Sequence, residues 1–107
     1  MSGANEQSVR QAIQTLSQSD PIPKLLPQVK LGKMKPTDPG LRAITEAWLG
    51  TYQKVIETGQ AFDQGVLRRL DPSPRLDLLI QAGVLAEDRP PVIALRAAFD
   101  RALAGAA

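Results

Sequence analysis

The 107-residue chain contains no cysteine and no histidine. Their absence excludes a disulfide framework, a thiol nucleophile, a histidine-based triad and an ordinary zinc site. Aromatic residues are scarce: one Trp, one Tyr and two Phe, 4% of the chain. A core so poor in rings must be assembled from Leu, Ile, Val and Ala, which suits packed helices better than a sheet. No apolar run approaches the roughly 20 residues of a membrane span. The first twenty residues, MSGANEQSVRQAIQTLSQSD, hold nothing like the core of a signal peptide. A cytoplasmic protein with no membrane partner is therefore expected. A glycine-rich phosphate loop is also missing, since GLRAITEAWLG has neither the spacing nor the Gly-Lys-Ser/Thr ending.

What is present is globular in composition, with 43% hydrophobic and 22% charged residues. The length suits one domain around a single modest core. A net charge of +2 permits a polyanionic partner without arguing for one.

Periodicity predicts an all-α chain, a small bundle of about four helices. A short first helix is expected over 5–17, where Val9, Ala12, Ile13 and Leu16 share one face. Residues 18–37 read as an extended strap. Pro21, Pro23, Pro27 and Pro36 lack backbone donors and bias the preceding residues away from helix. The apolar residues Ile22, Leu25, Leu26, Val29, Leu31 and Met34 are too many for a solvated linker. The strap is expected to lie across the bundle with its lysines outward. The helical core is expected over 38–104.

The second predicted helix is the long central one. Asp38 is a good N-cap and Pro39 occupies the favoured first position. Leu41, Ile44, Trp48, Leu49, Tyr52, Val55, Ile56 and Phe62 fall within an arc of about 140° on a helix of at most about twenty-five residues. Gly59 falls in that arc, which marks a close approach or a weak point. Ser73 and Pro74 repeat the cap-then-proline start for a third helix, rich in Leu76, Leu78, Leu79 and Ile80. It should end at Gly83 in a Schellman turn closed by Val84. Pro90 and Pro91 open a fourth helix striped by Val92, Leu95, Phe99 and Leu103, with Arg96 and Asp100 spaced to pair.

Few residues suggest chemistry. Glu87 and Asp88 are adjacent acids that read as the start of a helix, since a hard cation needs further oxygen ligands. Asp71 and Asp77 flank the third helix and read as capping and solvation. IQAGVLAEDRPPVIALRAAF resembles a helix-turn-helix, but residues 84–89 make the turn too long and prolines occupy the would-be recognition helix. Only Arg96 and Arg101 would project from it. No catalytic residue, metal or cofactor is expected, and the chain does not read as an enzyme.

Two surfaces remain. Trp48, Tyr52 and Phe62 on helix two belong to residue types enriched at association hot spots. They serve as core and interface together if the protein dimerises through this helix. The reading is a non-catalytic protein-interaction module (an adaptor, regulator or assembly factor), with a protein partner or a second copy held by Trp48, Tyr52 and Phe62 and by Lys30, Lys33 and Lys35 at the rim. The alternative is a nucleic-acid-associated protein binding phosphates through Lys24, Lys30, Lys33 and Lys35, extended by Arg68 and Arg69. No aromatic lies in the strap to stack on bases.

Overall fold

The structure, a computed structural model, describes residues 2–58 and 62–106, with side chains except at 2–6, 8 and 58. Gly59 lies outside the described residues. Among them the regular structure is all helical. The elements are α1 (Ser2–Ser19), α2 (Ile22–Lys30), α3 (Pro39–Thr58), α4 (Gln64–Arg69), α5 (Ser73–Gln81) and α6 (Pro90–Gly105). The chain fills a slab of 48 × 25 × 17 Å in which α3 runs along α6, α1 packs on α3 and α4 packs on α6.

An aspartate followed by proline opens three of these helices. Asp38 Oδ1 accepts the Leu41 N–H at 3.1 Å ahead of α3, and Asp71 Oδ1 accepts the Ser73 N–H at 2.9 Å ahead of α5. The capping oxygen of α5 is thus Asp71, and Ser73, expected as the cap, already lies inside the helix. Asp20 performs the same task for α2, accepting the Ile22 N–H at 2.9 Å. Asp63 caps α4 through the Val66 N–H at 2.8 Å. Each carboxylate satisfies a donor that the first helical turn leaves unpaired.

The strap is where expectation and structure part. Residues 22–30 are helical despite Pro27 inside the helix. Pro23 stands in the first turn, where no backbone donor is needed, so only Pro27 removes a ladder bond. Burial offsets that loss: Ile22 and Leu26 are buried, and Leu25 and Val29 half-buried, in contact with the core. Besides the break at residues 20 and 21, only residues 31–38 remain as a non-helical turn. The first helix extends to Ser19, beyond the expected end.

On α3 the buried stripe is Leu41, Thr45, Trp48, Leu49, Tyr52 and Ile56. It is narrower than the predicted arc, about 100° wide. Ile44, at the arc's edge, is 53% exposed, and Thr45, inside the arc, is fully buried with its hydroxyl donating to Leu41 O at 2.8 Å. Ile13 likewise turns outward on α1, leaving Val9, Ala12 and Leu16 inside. Phe62 is buried but follows α3 rather than belonging to it. The stripe is covered by other helices of the same chain, so its burial requires no second copy.

Two Schellman turns punctuate the chain. After α5, Gly83 adopts φ +82°, with Val84 N–H donating to Leu79 O and Gly83 N–H to Ile80 O, as expected. After α2, Gly32 adopts φ +76° and closes the same pair of bonds, Lys33 N–H to Gln28 O and Gly32 N–H to Val29 O. Arg89, before α6, forks onto Glu46 of α3 through Nε at 2.8 Å and a terminal nitrogen at 3.1 Å. Arg96 pairs with Asp77 at 3.8 Å, not with the predicted Asp100.

Candidate functional site

Titratable groups converge on one cleft. It opens between the C-terminal half of α1, the middle of α3 and the turn from α4 into α5, and encloses about 260 Å3. Leu16, Trp48 and Tyr52 form its floor, Ile13 and Pro74 its apolar lip, and Asp20, Asp71, Arg69 and Arg75 its charged rim.

The floor is rigid for identifiable reasons. Trp48 and Tyr52 are one helical turn apart on α3, which brings them edge to face with centroids 5.4 Å apart and planes at 87°. Each ring then bonds to a different element. Trp48 Nε1–H donates to Leu16 O of α1 at 3.1 Å, and the Tyr52 hydroxyl donates to Leu70 O, at the end of α4, at 2.6 Å. The polar ends of both rings are therefore spent on backbone carbonyls.

The rim is partly self-neutralised. Asp20, with its side chain 5% exposed, pairs with Arg75 at 3.0 Å while its other oxygen caps α2. Asp71 caps α5 and is half-buried. Arg69 is exposed and has no ion-pair partner among the described residues. Burial, assisted by the Asp71 carboxylate, opposed by the Arg75 guanidinium and assisted again by Asp20, pushes the Tyr52 phenol from its ordinary 10 up to about 12. Tyr52 is accordingly a neutral donor throughout the physiological range. Its proton stays on a structural bond, and the arrangement suits recognition better than proton transfer.

The sequence-predicted residues are distributed as follows. Trp48, Tyr52 and Phe62 are 4%, 5% and 6% exposed, so in this structure they are core residues and none offers a broad contact face. Trp48 and Tyr52 still floor the cleft, whereas Phe62 lines a separate depression of about 470 Å3 with Ile56, Leu67 and Ala98. That depression is apolar apart from Glu57 and Arg101, which pair with each other at 3.6 Å. Lys24, Lys30, Lys33 and Lys35 are all exposed, as are Arg68 and Arg69. They do not form one patch. Lys35 lies at the N-terminal end of α3, bonded through its carbonyl to Asp38 N–H, while Arg68 and Arg69 adjoin Leu70 beside Tyr52. Thirteen residues of helix, about 20 Å, separate the two places. Glu87 and Asp88 are exposed, and among the described residues no group of three or more acids could hold a metal ion. No helix among the described residues is long and apolar enough to cross a membrane.

Asp20 and Arg75 were missed by sequence reasoning. Asp20 carries the same aspartate-proline signal as Asp38 and Asp71, and that signal was available. Nothing local marks Arg75 as its partner, since the two meet only when α2 and α5 are docked.

In comparison with known proteins, the chain matches no family model, no curated protein and no solved structure.

Proposed function

We propose that the protein is a non-catalytic protein-interaction module whose contact site is the Trp48–Tyr52 cleft. The observation that carries this reading is the construction of the cleft: a rigid aromatic floor, an isoleucine lip 44% exposed at Ile13, and charges of both signs around them. An apolar anchor point surrounded by a polar rim is the usual anatomy of a protein contact. The functional groups that chemistry would need are occupied by the fold, Tyr52 by Leu70 O and Asp20 by Arg75 and the α2 cap.

The partner is read as a short peptide segment rather than a large flat surface. A volume of about 260 Å3 holds one or two side chains. Arg69, exposed and without an ion-pair partner among the described residues, favours a segment with an acidic residue beside the apolar one. Because Trp48 is the chain's single tryptophan, its fluorescence reports occupancy directly.

Panning a displayed random-peptide library against the full chain tests this. Enriched peptides should pair an apolar with an acidic residue, perturb Trp48 emission, and bind at least about tenfold more weakly to Ile13→Asp and Arg69→Glu variants. A failure to enrich any sequence, or enriched peptides indifferent to both substitutions, refutes the assignment.

A further inference from the structure

The two Schellman turns are chemically alike and differ in what they bury. At Gly83 the closing residue is Val84, 1% exposed, so the turn folds an apolar side chain into the core. At Gly32 the closing residue is Lys33, which is exposed, and the hydrophobe of the turn, Leu31, stands outward at 71% exposure. Among the described residues Leu31 is the most exposed of the large hydrophobics.

A single exposed leucine is ordinary on a protein surface. Its setting here is not. From Lys24 to Thr37 the chain carries four lysines and no acid. Lys30, Lys33 and Lys35 surround Leu31 in sequence, and Lys24 lies further back on α2. All four are exposed, and none has an ion-pair partner among the described residues. The nearest following acid, Asp38, is engaged as the α3 cap. The turn is anchored from below by Pro36, whose Cβ lies 3.4 Å from where a Cβ on Gly83 would stand. The result is a basic turn that exposes one leucine and is packed through Pro36.

We propose that this turn is a contact site for an anionic lipid surface, with the lysines meeting the headgroups and Leu31 entering the acyl boundary. A polybasic cluster and an inserted hydrophobe are the two complementary signals that reversible attachment to a bilayer uses. A nucleic acid would use the lysines equally but has no place for the leucine, and no ring is present to stack on a base. This departs from the expectation of no membrane partner, which rested on the lack of a signal-peptide core and of a membrane-spanning run, neither of which this mode needs.

The test is co-sedimentation of the full chain with vesicles of phosphatidylcholine alone or with roughly a third phosphatidylserine, at about 50 and 200 mM salt. The protein should bind only the anionic vesicles, and more weakly at the higher salt. Each Lys→Gln change among the four should weaken binding about fivefold, and all four together roughly 10²–10³-fold. Leu31→Ser should weaken it about tenfold while leaving the melting temperature unchanged, because the residue is already exposed. Absence of binding to the anionic vesicles overturns the proposal, as does full binding by Leu31→Ser. A DNA duplex bound more tightly than the vesicles, with Leu31→Ser without effect, overturns it in favour of nucleic acid.

Discussion

Removing the Tyr52 hydroxyl separates two contributions that the structure joins in one atom. Tyr52 donates to Leu70 O at 2.6 Å in a buried setting, and Phe at this position leaves that carbonyl without its side-chain donor. Stranding a buried acceptor costs about 1–2 kcal/mol, so Tyr52→Phe should lose that much stability at neutral pH. The wild type should also lose stability in alkali. The folded-state pKa of Tyr52 is raised from 10 to about 12, so the unfolded chain ionises first as pH rises. The contribution is fully present below pH 10 and is lost as pH rises from about 10 to 12, by roughly 1 kcal/mol at pH 11. Tyr52→Phe lacks this step, and the two stability curves should meet near pH 11, at about the point where the lost bond and the ionisation cost cancel. The background is favourable. Tyr52 is the chain's single tyrosine and histidine is absent. Urea unfolding followed by circular dichroism from pH 7 to 11 measures both curves. An equal alkaline loss in Tyr52→Phe, or a flat wild-type curve to pH 11, refutes the reasoning.

Two further substitutions test the core. Trp48→Ala removes a ring 4% exposed together with its bond to Leu16 O, and should cost about 3–5 kcal/mol in urea unfolding. Thr45→Val should be neutral or stabilising by up to about 0.5 kcal/mol, because the residue is fully buried and its hydroxyl bonds back to Leu41 O within its own helix. A loss above about 1 kcal/mol at Thr45 would mean that the hydroxyl makes a tertiary contribution the geometry does not show.

Local signals in this chain were read well where one strong cue stood alone. Asp38 and Pro39 start α3, Gly83 ends α5 with Val84 folded back, and Pro90 opens α6. Reading failed where cues conflicted. Asp20 with Pro21 announces α2 as clearly as Asp38 with Pro39 announces α3, yet Pro23 and Pro27 argue against a helix there. Burial of Ile22 and Leu26 against the bundle resolves that conflict. The short α4 follows the Asp63 cap, in a stretch where the α3 periodicity had been expected to fade and the chain to turn. On α3, Ile44 was placed inside by residue type but is exposed, and Thr45, which hydrophobic periodicity leaves out of account, is fully buried. As for the cleft, Trp48 and Tyr52 were read as core and contact residues together, and their burial agrees with the first part, while the rim charges Asp20 and Arg75 were unseen.

The sequence by itself determined the helical class, the starts of α3, α5 and α6, the end of α5, and the run of lysines around Leu31. Those properties depend on periodicity, on capping oxygens and on prolines acting within a few residues. Only the tertiary structure decided which apolar residues turn inward, and it alone assembled the cleft. Trp48 reaches Leu16 across 32 residues, and Tyr52 reaches Leu70 across 18. Asp20 meets Arg75 from helices whose contact neither segment encodes alone. Such pairings follow from the simultaneous burial of several amphipathic faces, and no local stretch carries that information.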